Sequence, residues 1–347
     1  MPMSANYIAA KIKQGKVVPV VSQKLLYDMY LGDHMNLVKA YAEHIEYPFK
    51  VEESGDLLKM IKYRKIKGIW DKENKRYEKL AFARLRDDYL GLAKQHLLRL
   101  AEKEGTPKKL LDQVSKENLQ GIGFSELTKR IDYPHFGERD KDPLLVLAKL
   151  PLPIYLTTCH HTFLEQAIRR VETIPDPEFC RSEFCRWHKS NLNLPSVFDD
   201  IHYKPDINRR LVFHLFGWDD CPESLVLTED DYLNFLIEIT KQDDQISSNL
   251  QLRKAFSQSI LLFLGFSLQS WEFRVLFHGL IKPTADARID KGKFIIQLDP
   301  NREGEKPNKD EEEYLRSYLD QEAELEIEWG EIHQYVIELK DHYDRMS

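Results

Sequence analysis

Short apolar runs recur along the chain, each ending in a turn that leads into a helical pattern. "KVVPVV" (16–21), "PIYLTT" (153–158), "RLVFHLF" (210–216), "ILLFLGFS" (260–267) and "KFIIQLD" (293–299) are almost wholly apolar. Strands covered on both faces read this way, which predicts a largely parallel sheet. Between them, "TFLEQAIRRV" (162–171), "TEDDYLNFLIEIT" (228–240) and "SWEFRVLFHGLI" (270–281) carry helical spacing, as βαβ units require. Thr228 is the expected N-cap of the second of these. Glu229, Asp230 and Asp231 then fall in the first turn, where the helix dipole favours anions. "ELEIEWG" (324–330) alternates with period two, the pattern of an edge or half-exposed strand, and a terminal helix is expected over 331–345.

Two stretches break the rhythm. Residues 50–135 are charged, Lys-rich and helical by periodicity, and read as a helical insertion; residues 172–209, with prolines at 175, 177, 195 and 205, read as a loop-rich one. The expected fold class is α/β: one domain over 1–347, Rossmann-like and doubly wound, carrying both insertions.

Composition narrows the function classes. No run approaches the roughly 18 apolar residues that cross a bilayer, and the N-terminus MPMSANYIAAKIKQGK lacks the apolar core of a signal peptide. No membrane association and a cytoplasmic location are therefore expected. Cys159, Cys180, Cys185 and Cys221 are too scattered for a disulfide framework. A net charge of −7 opposes general nucleic-acid binding, which needs an excess of phosphate-neutralising cations. The lysines between Lys59 and Lys79 and the ten acidic residues between Asp310 and Glu331 read as solvated helix faces.

The chemistry-bearing positions gather at the strand ends: "VVPVVSQ", "YLTTCHH", "FHLFGW", "FLGFSL" and "IIQLDP". In an open α/β sheet the carboxyl ends of the strands line the ligand crevice. Ser22, Gln23, Thr158, Cys159, Gly265, Ser267 and Asp299 stand on these turns and are the expected ligand contacts there. Gly265 permits close backbone approach, or simply a tight strand-to-helix turn; Ser267 can donate to an anion or a ribose. Asp299 can accept from ribose hydroxyls or begin an Asp-Pro turn. "CRSEFCRWH" offers Cys180, Cys185 and His188 as metal ligands, with His202, Cys221 or the Cys-His-His triplet needed as the fourth; buried free thiols are the expected reading.

Taken together, these turns resemble those of bacterial sirtuin-like domains. In that family a first strand is followed by Gly-Ala-Gly, a second by Thr-Thr-Asn-x-Asp, and a third ends in His-Gly; "ESLVLTEDDYLNFL" (223–236) and "LLFLGFSLQSWEFRVLF" (261–277) match its later segments. The resemblance spans the chain and implies NAD chemistry: the glycine loop admits the pyrophosphate, Asn and Asp hold the nicotinamide side, and the histidine is the general base. Here Ser22, Gln23 and Lys24 replace the glycine loop, Cys159 and His161 replace Asn and Asp, and Phe216 with Gly217 replaces His-Gly. Phenylalanine takes no proton. His161 and His214 are the leading substitutes at the strand ends, with His160 beside them; His214 sits two residues, about 6.6 Å, down the strand from Phe216. A nucleophilic Cys159 would need a depressed pKa and has no accompanying acyl-transfer motif.

The resemblance therefore implies a catalytically impaired sirtuin-like module of a prokaryotic antiviral system. It would bind a nucleotide, NAD or ADP-ribose in type, or other defence proteins, or assemble with itself as an oligomer; no zinc is expected. Two alternatives stand beside it. One is an active NAD glycohydrolase using His161 or His214. The other is a platform that binds nucleic acid or protein through Lys62, Lys65 and Lys67 of the helical insertion.

Overall fold

The computed structural model describes residues 5–346 except 33, 52–55, 72–75, 79–81, 118, 120, 138–140, 173–176, 242–251, 253, 254, 257, 282–293, 299–308 and 324. Helix α1 (Ala5–Lys13) leads into β1 (Val17–Val21), followed by α2 (Gln23–Tyr30), α3 (His34–His44) and α4 (Asp56–Lys67). A two-stranded antiparallel hairpin, β2 (Ile69–Asp71) and β3 (Arg76–Glu78), precedes the long α5 (Phe82–Lys103). Then come α6 (Lys108–Ser115), α7 (Phe124–Arg130), α8 (Pro143–Ala148), β4 (Ile154–Thr157), α9 (Phe163–Val171), β5 (Cys180–Phe184) and β6 (Arg210–His214). The remainder is α10 (Glu229–Ile239), β7 (Ile260–Leu264), α11 (Trp271–Leu276), β8 (Phe294–Leu298), α12 (Lys309–Ala323), β9 (Leu325–Trp329) and α13 (Ile332–Arg345).

Seven strands form one sheet in the order β5-β6-β4-β1-β7-β8-β9, and every pairing is parallel. The expected α/β doubly wound sheet is thus present. From β1 the chain passes to β4, on to β5 at the edge and back to β6 between them, then crosses to the opposite side of β1 with β7. The direction of winding reverses at β1, so the crevice of such a sheet falls at the carboxyl ends of β4, β1 and β7. β1 also carries Pro19, which has no N–H to give, and its register with β4 begins only beyond it, at Val20 and Leu156.

Strand alternation divides the core between two faces. Val18, Val20, Leu211, Phe213, Leu261 and Phe263 pack with α10 and α11, whereas Val17, Val21, Val212, Leu262 and Leu264 pack with α1, α2, α5, α8, α9 and α13. The chain between 50 and 135 is not a separate core, since Leu85, Tyr89, Ala93 and Leu97 of α5 belong to the same cluster as β1. Thr228 caps α10 as the sequence predicts: its hydroxyl accepts from Asp231 N (3.2 Å), and the Asp231 carboxylate accepts from Thr228 N (2.9 Å), closing a capping box.

Three features depart from the expectation. β5 lies inside the stretch read as loop; it is an edge strand whose Arg181, Ser182 and Glu183 give no apolar run to read. The β2–β3 hairpin interrupts the helical stretch. The helix read over 270–281 is α-helical only to Leu276 and continues as a π-helical turn, Phe277–Ile281. No helix among the described residues is long and apolar enough to cross a membrane.

Gly265 closes the β7–α11 turn with φ +75°, and a Cβ added there would lie 2.5 Å from Leu25 Cβ. Packing against α2, not a ligand, accounts for the glycine. Gly265→Ala is expected to lower stability by about 1–3 kcal/mol through strain and overlap, read as a shift in the urea midpoint with unchanged slope.

Candidate functional site

The carboxyl ends of β1, β4 and β7 meet, but they are bonded to one another. Ser22 caps α2 by accepting from Leu25 N (3.1 Å) and donates to the Gly265 carbonyl (2.6 Å). Gln23 N, at the start of α2, donates to Thr158 Oγ1 (2.8 Å) and to Glu272 Oε1 (3.0 Å). Thr158 Oγ1 in turn donates to the same Glu272 oxygen. A carboxylate from α11 therefore sits on the helix N-terminus, where the dipole favours an anion. Burial pushes the Glu272 carboxyl up to about 7, against the hydrogen bonds that lower it. Ser267 serves the same turn: its carbonyl accepts from Ser270 N (3.1 Å) and Ser270 Oγ (2.8 Å). Asp299 lies outside the described residues.

The Cys159-His160-His161 turn is wholly inside the protein. Cys159 is 0% exposed, and its Sγ accepts from His161 N (3.4 Å). Burial pushes this thiol well above its ordinary value, the opposite of what a nucleophile needs. His161 Nδ1 lies 2.7 Å from Asp219 Oδ2, and Nε2 lies 3.0 Å from Tyr27 Oη, which is 2.9 Å from Tyr89 Oη. Phe124 stacks on the imidazole at 3.6 Å. Ser125 Oγ donates to the Asp219 carboxylate (2.8 Å), and Asp219 N donates to the His160 carbonyl (2.9 Å). Burial holds His161 well below its ordinary value and raises Asp219 to about 7.

A second buried pair stands alongside. His214 Nε2 lies 2.7 Å from Glu165 Oε1, and Nδ1 lies 2.7 Å from the Cys159 carbonyl. Ser182 Oγ of β5 donates to the same Glu165 oxygen (2.6 Å). Burial disfavours both charges, yet their attraction outweighs it: Glu165 is held below and His214 above the ordinary value, which describes an ion pair. Phe216 points away into the opposite core, with Tyr232 at 4.9 Å and Phe235 at 5.1 Å between ring centroids. Gly217 follows at φ +91°, where a Cβ would lie 2.3 Å from the Ser224 carbonyl oxygen.

The structure thus brings Ser22, Gln23, Thr158 and Gly265 together and keeps His161 and His214 in separate pairs. His160 is 2% exposed, and neither ring nitrogen has a hydrogen-bond partner of good geometry, although the Phe216 backbone lies near enough to favour its charge. The three metal candidates do not converge. Cys180 packs in one core face, Cys185 in the other, and His188 Nδ1 bonds Ser190 Oγ (2.7 Å). Among the described residues no group of three or more His, Cys, Asp or Glu side chains could hold a metal ion.

Asp219, Glu165, Tyr27 and Glu272 are absent from the sequence reading. Two had a local signal: Glu165 falls among Phe163, Leu164, Ala167 and Ile168, all buried, and Asp219 and Asp220 follow a strand end directly. Nothing local marks Glu272, which lies 249 residues from Gln23.

Removing one partner of a buried pair strands the other charge. Glu165→Ala is expected to cost about 3–5 kcal/mol in urea unfolding, with His214→Ala similar and the double variant less than their sum. The Asp219 carboxyl is raised above its unfolded value, so its contribution is full below about pH 3.9 and is lost as pH rises through about 7. The urea midpoint of Asp219→Asn should therefore fall less between pH 5 and pH 8 than that of the unaltered protein, by roughly 1–3 kcal/mol.

Comparison with known proteins bears on the later part of the chain. A search of curated proteins found no match. The family model for the SIR2-like domain matches residues 153–321, which contain the second and third turns, the Thr228 capping segment and the Gly265 turn. Residues 153–321 are thus similar to the SIR2-like domain, and the all-parallel sheet is consistent with a sirtuin-like fold.

Proposed function

We propose that this chain is a catalytically impaired sirtuin-like module that acts by binding, as an assembly or partner-binding subunit of a prokaryotic antiviral system. One observation carries the impairment: both ring nitrogens of His161 and both of His214 are engaged inside the protein, and neither imidazole is exposed. A general base must come within about 3 Å of the proton it takes, directly or through one water. Phe216, at the position of the family's base, is turned into the core. Glu272 supports the same reading at the other end of the crevice, because a pyrophosphate would have to displace a carboxylate from Gln23 N.

The defence setting follows the sirtuin-like resemblance, and the partner is another defence protein or a further copy of this chain. Leu233 and Ile237, one helical turn apart on α10 and 47% and 55% exposed, support an apolar contact surface. The Lys-rich platform gains less support, since Lys62 Nζ meets Asp230 (3.1 Å) and Lys67 Nζ meets Glu46 (3.2 Å). A cytoplasmic location accompanies this proposal.

The Asp219–His161 contact favours a second reading, because a carboxylate that orients an imidazole is the arrangement of an acid–base catalyst. In that reading His161 separates from Tyr27 and takes a proton from a water, whose oxygen bonds to the ribose carbon as the glycosidic bond breaks and nicotinamide leaves.

Incubation with saturating NAD is expected to release no nicotinamide above a protein-free control. Turnover that disappears in His161→Ala at an unchanged melting temperature would instead establish the second reading. Calorimetric titration of ADP-ribose into Glu272→Gln, compared with the unaltered protein, measures how far the internal carboxylate excludes a phosphate; binding confined to the variant is the expected outcome.

A further inference from the structure

A cavity of about 850 Å³ lies between α5, the segment entering α7 and the turn after β6. Leu119 and Phe124 form an apolar wall, and Asp87, Asp219 and Asp220 a polar one. Its volume is within the range of small-molecule sites, about 300–1,000 Å³. The mixture of an apolar wall and a few convergent polar groups is also typical of such sites.

Gly91 adds an independent observation. It stands in the middle of α5, where glycine costs about 1 kcal/mol relative to alanine. Its φ is not positive, and an added Cβ would meet no atom within 4 Å, so neither backbone geometry nor packing demands glycine. Gly91 lines the cavity. The missing side chain leaves bare helix backbone open to whatever the cavity holds.

The charges on the wall select the occupant. Lys94 Nζ is committed to the Leu119 carbonyl (3.0 Å), and Asp88 is met by Arg64 Nε (3.2 Å) and His44 Nε2 (3.2 Å). Arg84 is the other cation on the wall. Asp219 is taken up by His161 and Ser125, which leaves the adjacent Asp220, whose carboxyl is raised by burial and by the Asp219 charge to about 6. A cation placed against Asp220 would gain a charge-assisted hydrogen bond.

We propose that this cavity binds a small organic cation with an apolar body, an amidine or amine whose charged end meets Asp220 and whose body lies along Leu119 and Phe124 over Gly91. The proposed contacts, Asp220, Leu119, Phe124 and Gly91, are not the groups that would cleave NAD, so loss or survival of NAD cleavage does not bear on the proposal.

Isothermal titration of benzamidine and of tyramine into the full chain tests this, with benzamide as the neutral isostere. The expected result is saturable one-site binding of both cations and at least about tenfold weaker binding of benzamide. Gly91→Leu and Asp220→Asn should each weaken the cations at least about tenfold, with circular dichroism unchanged. Gly91→Ala separates the two roles: it should raise the melting temperature, as the helix gains propensity, yet still weaken binding. Absence of saturable heat for both cations up to about 10 mM, equal binding of benzamide, or full affinity in Gly91→Leu overturns the proposal.

Discussion

Two carboxylate–imidazole contacts stand side by side beneath the carboxyl ends of β4 and β6, Asp219 with His161 and Glu165 with His214, joined by the Cys159 carbonyl that His214 also engages. All four side chains are fully buried, so each polar group must find its partner inside the protein. The surrounding geometry follows from that requirement. Ser125 and Ser182 supply donors to the two carboxylates, Tyr27 and Tyr89 extend the first pair toward α5, and the Asp219 amide binds the His160 carbonyl. The turn after β6 is thereby tied to the turn after β4.

Protein groups themselves supply hydrogen bonds at these strand ends: Glu272 at the N-terminus of α2, and the two pairs beneath β4 and β6. The glycines at 265 and 217 are accounted for by Leu25 and by the Ser224 carbonyl, so they carry no information about a phosphate. A strand-end glycine in this family's turns can thus be a packing requirement even where it matches a binding motif.

Legibility in the sequence followed distance along the chain. Six sheet strands are readable because an apolar run covered on both faces is a local property, and so is the Thr228 capping box, whose partners are three residues apart. β5 escaped because an edge strand needs no apolar run; its charged residues are satisfied locally, with Glu183 on Arg186 (2.6 Å) and Arg181 on Glu178. Cys180, Cys185 and His188 are neighbours in sequence but not ligands of one ion, because the alternation of β5 and the residue beyond it sends the two thiols to opposite faces of the sheet.

By itself, then, the sequence determined the α/β class, the largely parallel sheet and the residues at the strand-end turns that depart from the pattern they resemble, since all of these reside in runs and motifs of a few residues. Only the tertiary structure decided what the substituted residues meet. His161 finds Asp219 58 residues away, His214 finds Glu165 49 residues away, and Gln23 finds Glu272 across the sheet. Such partners are chosen by which strand ends the winding places side by side, and by the free energy lost if a buried polar group is left without one.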